Sequence, residues 1–242
     1  MSARRFFVDA ACSTGGDVAL RESDARKILR VLRLRDGDRI ELVDAAGSVF
    51  EAAIVVNGAQ VRARPIAARE PPSPPSLHVD LAQAVPKGAK MDFIVEKATE
   101  LGAAAILPFL CERTVPTDVG PAKLERWRRL ARAASQQSGR SDVPGVEDPL
   151  PFQALLERFA GYDLVLLAWE RAEAIAARER LPQLLAGVRK VLVVVGPEGG
   201  LSASEAETAC ERGACELWLG PRILRAETAP IVVLAMLAYA AS

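Results

Sequence analysis

A chain of 242 residues with 31 basic and 31 acidic side chains has a formal net charge of zero, so no global field draws it to nucleic acid. Half of its residues are hydrophobic and 26% charged, the balance of a globular chain with length enough for a real core. No apolar run reaches the ~20 residues that span a bilayer, and the amino terminus has no signal-peptide stretch, which predicts no membrane partner and a cytoplasmic protein.

The first segment, 1–70, reads as a small β-rich module. Phe6 to Val8 suggests a short strand, and Ser23-Asp24 is an N-cap signal before a helix with Ile28, Leu29 and Leu32 inward. Segments 39–44, 48–56 and 61–66 read as consecutive strands parted by glycine-containing turns, plausibly closing a barrel. Between Arg21 and Arg35 six basic residues stand against two acidic ones, so Arg30 and Arg33 are candidates for phosphate contact, the alternative being a solvated helix face. Residues 71–76 form a proline-rich linker in which neither helix nor central strand is favoured.

From 77 to 242 strands and helices alternate, the pattern of a mostly parallel sheet covered on both faces. His78 opens a strand and is better read as structural than as catalytic. Met91, Ile94, Val95, Ala98 and Leu101 fall at helical spacing, with Gly102 as the C-cap. A second strand covers 104–110. A helix over 122–137 turns Leu124, Trp127, Leu130, Ala131 and Ala134 inward and shows Arg126 and Arg129 on its other faces. Further strands are expected at 163–169, 190–195 and 215–219. Ser202 to Glu205 is a capping box, and a last helix covers 227–240. Four cysteines without a C-x-x-C pair and a single histidine predict no metal site.

Two turns carry the chemistry. In G-P-E-G-G, Gly196 to Gly200, the glycines let backbone N–H groups approach a ligand, and the turn lies between a strand and a helix. It is neither a P-loop nor a dinucleotide fingerprint, and Glu198 argues against a polyanion there. The second turn, G-P-R-I-L-R-A-E-T-A, concentrates Arg225 and Glu227 within ten residues.

Taken together, G-P-E-G-G-L-S-x-x-E followed by L-G-x-R-I-L-R-x-E-T-A resembles the RsmE-type 16S ribosomal RNA uridine N3-methyltransferases of the SPOUT superfamily. The blocks at 87–108, 112–114, 125–127 and 133–144 fit the same pattern in the same order, and V-L-R-L near the amino terminus is similar to that family's PUA-like domain. The resemblance implies an α/β fold whose carboxy-terminal segment forms a trefoil knot, a rare topology that pattern reasoning would not propose, preceded by a PUA-like β-barrel. It implies a homodimer that methylates N3 of one uridine in the decoding region of 16S rRNA in the small ribosomal subunit.

It also implies S-adenosylmethionine (SAM) held by Leu167 and Glu170, by Gly196, Pro197, Gly199 and Gly200, and by Leu219, Gly220, Ile223 and Leu224. Uracil N3 is a poor nucleophile until its proton leaves, so the reaction needs a base or cationic donors on the flanking carbonyls. Glu198, Glu227 and Glu170 are candidate bases, and Arg225, Arg113 and Arg140 candidate donors, with Glu198, Arg225 and Glu227 the catalytic set. The RNA surface would use Arg30, Arg33, Arg113, Arg126, Arg129, Gln136 and Arg140. Two alternatives remain: a knotted enzyme acting on a ribose 2′-OH or a tRNA base, and an RNA-binding or ribosome-assembly protein without catalysis.

Overall fold

The computed structural model describes residues 4–58, 60–70, 75–116, 118–169 and 177–241. Contacts divide the chain into two units, Met1–Pro74 with Ser135–Asp142, and Pro75–Ala134 with Val143–Ser242. Residues 135–142, placed by sequence in the carboxy-terminal domain, thus group with the amino-terminal unit.

In the first unit, β1 (Arg5–Phe7), β2 (Val18–Ala19), β3 (Arg39–Val43), β4 (Val49–Asn57) and β5 (Gln60–Arg69) form one sheet in the order β1-β3-β4-β5-β2. Only the β1–β3 pairing is parallel. Pro65, which lacks a backbone donor, sits beside the register shift of β4 against β5, where a strand tolerates proline. Phe6, Ile40, Leu42 and Ile54 form the core together with Ile28.

The helix of this unit departs from expectation. Helix α1 is short, Glu22–Arg26, and starts without a side-chain cap; Ser23 and Asp24 lie inside its first turn. Asp24 is not capping because it is buried and accepts a bond of 3.0 Å from the Gln136 amide. The chain then widens into a π turn, Lys27–Val31, closed by Leu32 N–H on the Lys27 carbonyl at 2.9 Å. That change of step leaves Ile28 fully buried but exposes Leu29, which the helical spacing had placed inward.

The second unit is a mixed α/β layer structure. Strands β6 (His78–Ala84), β7 (Ala105–Leu110), β8 (Gly145–Val146), β10 (Leu164–Ala168), β11 (Lys190–Val195) and β12 (Ala214–Leu217) run parallel in the order β12-β10-β11-β6-β7-β8. A short β9 (Leu150–Pro151) pairs with β7. Strand β11 shows why it is central: Val191, Val193 and Val195 face one core, Leu192 and Val194 the other. On the first face lie α2 (Lys90–Glu100), α3 (Pro121–Ser138), α5 (Ala177–Leu184) and α7 (Ala229–Ala240); α4 (Phe152–Arg158) and α6 (Ala203–Glu211) cover the second. Trp127 of α3 is completely buried, and Gly102 follows α2 with φ +89°, as its C-cap role requires. Parallel strands bring β10, β11 and β12 to one edge of the sheet at their carboxyl ends, where ligands of open α/β sheets bind.

Candidate active site

Strand β11 ends in the first glycine turn. A Cβ at Gly196 would meet the Leu201 nitrogen at 3.0 Å and the Gly200 carbonyl carbon at 3.1 Å, so any other residue would push back the backbone of the turn. Gly200 donates to the Pro197 carbonyl at 2.9 Å and takes φ +66°, closing the turn. Ser202 then caps α6 in a reciprocal capping box with Glu205, as the spacing predicts. Two side chains brace the turn from other connections. The buried Gln83 amide donates to the Gly196 carbonyl at 3.3 Å, and Arg113 donates to the Gly199 carbonyl at 2.8 Å.

The second turn follows β12. Gly220 has φ +108° with open space where a Cβ would stand, so the backbone there is accessible to a ligand. The backbone N–H of Trp169, just past β10, donates to the Leu217 carbonyl at 3.2 Å, which ties a third connection to the same edge. Together these segments enclose a cavity of about 610 Å³. Its lining includes Gly196, Pro197, Glu198, Gly200, Leu219, Gly220, Ile223, Leu224 and Arg225, all singled out from sequence.

Four sequence-selected residues stand differently, among them Glu227, which is not part of the lining. Leu167 is fully buried in the sheet's second core rather than on the cavity wall. The carbonyl of Gly199 is held by Arg113, and Gly199 is not part of the lining. Glu170 lies outside the described residues. The stretches expected to hold SAM, 167–170 and 219–224, also bring Trp169 and Arg222 to the lining, whereas sequence reasoning missed Lys90 and Trp218, which line the cavity too. Lys90 carries no signal that a local window could find: it is a lone lysine at the start of α2, and the carboxylates that hold it lie far along the chain.

Charge at the cavity centres on Lys90. Its ammonium lies 2.8 Å from Glu198 Oε1 and 3.4 Å from Glu227 Oε2. Glu198 Oε1 also accepts the Lys87 backbone N–H at 3.1 Å. Burial alone would raise the Glu198 pKa, but hydrogen bonds from Lys90 and from the N–H groups of Glu198 and Lys87 outweigh it and hold the carboxyl below its ordinary range. The same bond to Glu198 raises the Lys90 pKa. Glu227 is mostly buried, with Arg225 3.9 Å away and itself 82% exposed. Glu227 Oε2 makes no hydrogen bond among the described residues, so the ion pair with Lys90 is what compensates it.

The expected RNA-contacting residues divide by how free they are. Arg30 and Arg33 are exposed, Arg33 at φ +52° just after the π turn. Arg126 is exposed and pairs with Asp92 at 2.8 Å, and the exposed Arg129 reaches the Glu125 carbonyl at 3.4 Å. Gln136 is buried between Asp24 and Lys27, its amide donating to one and accepting from the other. Arg140 is largely covered and engages both oxygens of Asp142. Burial and partners therefore withdraw Gln136 and Arg140 from the accessible basic surface.

The sequence profile of the RNA methyltransferase domain matches residues 73–238, which include every segment of this cavity. The chain belongs to that family. It is 35% identical to the ribosomal RNA small subunit methyltransferase E of Bacillus subtilis, over 89% of this chain and 87% of that protein. The protein of the same name from Synechocystis is 38% identical over 91% of this chain and 72% of its own length. The crystal structure of the Neisseria gonorrhoeae ribosomal RNA small subunit methyltransferase E, bound to SAM, superposes with a TM-score of 0.86 at 31% identity, covering 98% of this chain and 97% of that one.

Proposed function

We propose that the chain is a SAM-dependent methyltransferase acting on N3 of one uridine of 16S rRNA in the small ribosomal subunit. The cavity at the carboxyl edge of β10, β11 and β12 supports this most directly. Its volume of about 610 Å³ suits a cofactor of this size. The open backbone at Gly220 and the left-handed Gly200 allow main-chain contact to adenine and ribose. The relatives and the SAM-bound structure of that name point to the same cofactor and the same RNA.

When bound, SAM supplies an electrophilic methyl group; the chain's own residues must then prepare uracil. Glu198 accepts two hydrogen bonds, from Lys90 and the Lys87 N–H, whereas Glu227 has only longer ion pairs with Lys90 and Arg225, so Glu227 is the carboxylate left to take the proton of N3. Arg225, exposed at the cavity rim, is placed to stabilise the charge that develops on the flanking carbonyl as the proton leaves. Leu219 to Leu224 and the Gly196 turn would hold the cofactor.

The finer architecture belongs to the same proposal. Past β12, at the sheet's edge, the chain returns so that α7 packs on β6, β10 and β11, a path compatible with a trefoil knot. The five-stranded sheet of residues 5–69 suits a PUA-like barrel on the amino-terminal side of the linker at 71–76, and 77–242 the catalytic domain. A homodimer is supported by α7, which is apolar all round: beyond its buried Val233, Leu234 and Leu237 it leaves Tyr239 86% exposed. No helix among the described residues is long and apolar enough to cross a membrane, in keeping with work on ribosomal RNA in the cytoplasm. RNA would meet Arg126 and Arg129 on α3 and Arg30 and Arg33 after α1, through phosphates.

Calorimetric titration with SAM tests this proposal against a purely RNA-binding protein, which would take up no cofactor. Replacing Arg126 and Arg129 by Glu should weaken binding to 16S rRNA fragments by at least ~10-fold and flatten its salt dependence. Unchanged affinity would remove α3 from the RNA surface.

A further inference from the structure

Gln83 is a polar exception in a buried strand. It lies near the carboxyl end of β6, fully buried, between Ala82 and Ala84 and flanked by β11 and β7, where a parallel sheet calls for an apolar side chain. Its amide nitrogen donates to the Ala84 carbonyl at 3.0 Å and to the Gly196 carbonyl at 3.3 Å. Carbonyl partners identify that end of the amide as the NH2 group, and Oε1 makes no hydrogen bond among the described residues. The side chain thus directs its bonding to the point where β11 leaves the sheet.

The sequence after β11 explains why a side chain is needed there. Gln83 and Val195 are the last paired residues of β6 and β11, and Gly196 and Pro197 follow. Pro197 has no N–H, so it cannot extend the ladder to β6. The peptide between Gly196 and Pro197 can then be held by hydrogen bonding only through its carbonyl. Gly196, without a Cβ, puts few limits of its own on that carbonyl. Gln83 supplies the missing donor. The far side of the turn is held by other groups: the Gly199 carbonyl accepts from Arg113, and the Gly200 N–H donates to the Pro197 carbonyl. Gly196, Pro197 and Glu198 line the cavity, whereas Gln83 stands behind them.

Resting on the SAM reading above, we propose that Gln83 is a positioning residue for the cofactor. Its amide fixes the Gly196–Pro197 peptide, and through it the stretch of turn against which SAM binds. It acts through Gly196 rather than by touching the cofactor, so its effect falls on cofactor affinity.

Titration calorimetry of the full chain with SAM tests this, with the affinity and the number of sites read separately. Gln83→Met keeps the length of the side chain and removes the donor, so SAM affinity should fall ~10-fold, in keeping with two neutral hydrogen bonds lost. Poorer folding alone would lower the fraction of chains that bind and leave the affinity of the rest unchanged. Gln83→Glu gives a second reading. Its ionised carboxylate would face two carbonyl oxygens and should weaken SAM ~100-fold at about pH 8. Once protonated it regains a donor, so the loss relative to wild type should shrink to within ~10-fold toward about pH 5. Lys90, Glu198, Glu227, Arg113 and Arg225 are the charged groups about the turn, and taking each affinity relative to wild type at the same pH removes their contribution. Wild-type affinity in Gln83→Met, or a loss in Gln83→Glu that does not change with pH, overturns the role of Gln83. Failure of wild type to bind SAM overturns the cofactor reading instead.

Discussion

The two edges of the parallel sheet carry similar side chains and do different things with them. At the amino edge, Asp80 accepts the Tyr162 hydroxyl at 2.9 Å and faces His78 at 3.0 Å, while Asp163 accepts the backbone N–H groups of Arg189 and Lys190. Lys190 lies over the Tyr162 ring at 4.5 Å. These groups bind one another and stitch strand starts together. At the carboxyl edge, Glu198, Glu227 and Lys90 are paired as well, yet Glu198 and Lys90 line a cavity of about 610 Å³ framed by glycines. Clustered charge is therefore not what marks the site. The mark is charge combined with backbone that has been cleared of side chains, so that a ligand has somewhere to go.

That contrast can be broken from either edge. The largest effect should come from Glu227→Gln, which removes the proton acceptor: single-turnover methylation should fall ~10²–10⁴-fold with SAM affinity nearly unchanged. Asp80→Asn, a carboxylate of the other edge, should leave that rate alone, and a comparable loss there would erase the distinction between the edges. Gly196→Val comes next. Its side chain must displace the Leu201 backbone, which a Cβ would already meet at 3.0 Å, so SAM affinity should drop ~100-fold and stability by about 1–3 kcal/mol, measured by calorimetry and denaturant unfolding.

The smallest effect belongs to the amino edge. Tyr162→Phe should cost about 1–2 kcal/mol of stability, with cofactor affinity unchanged. Burial, then the bond to Asp80, push the Tyr162 pKa up. A phenol whose folded pKa is raised contributes stability that is complete below about pH 10, its unfolded value, and is lost as pH rises through the folded one. Wild type should thus lose stability in strong alkali more steeply than the Phe variant. Asp163 behaves oppositely. The N–H groups of Arg189 and Lys190 lower its pKa, so its contribution is present above the ordinary carboxylate range and is lost as pH falls through the folded value.

Much of this architecture was legible because local signals agreed with one another. The β-branched run 190–195, the capping box at Ser202 and Glu205, and the helical spacing from Met91 to Ala98 each stand where periodicity and caps put them. Residues 145–158 carry no such signal, since β8 and β9 have two residues each and α4 is only seven residues long without a side-chain cap. The π turn escaped for a related reason: Leu29 sits at a helical position that only a change of step turns outward. In the site, the glycine turns showed themselves through composition, but Lys90 did not. Its importance lies in partners 108 and 137 residues away in sequence, which no window along the chain can see. Gln136 misled in the opposite direction, because a polar side chain beside arginines gives no sign that it will be buried against Asp24.

The most direct test is methylation of RNA from a strain lacking this gene. Small subunits and naked 16S rRNA are incubated with the purified protein and methyl-labelled SAM, and the product is mapped by mass spectrometry of nuclease fragments. The proposed function predicts one methyl group on N3 of a single uridine. A methyl group on a ribose 2′-oxygen, or no incorporation into either substrate while SAM is bound, would contradict it.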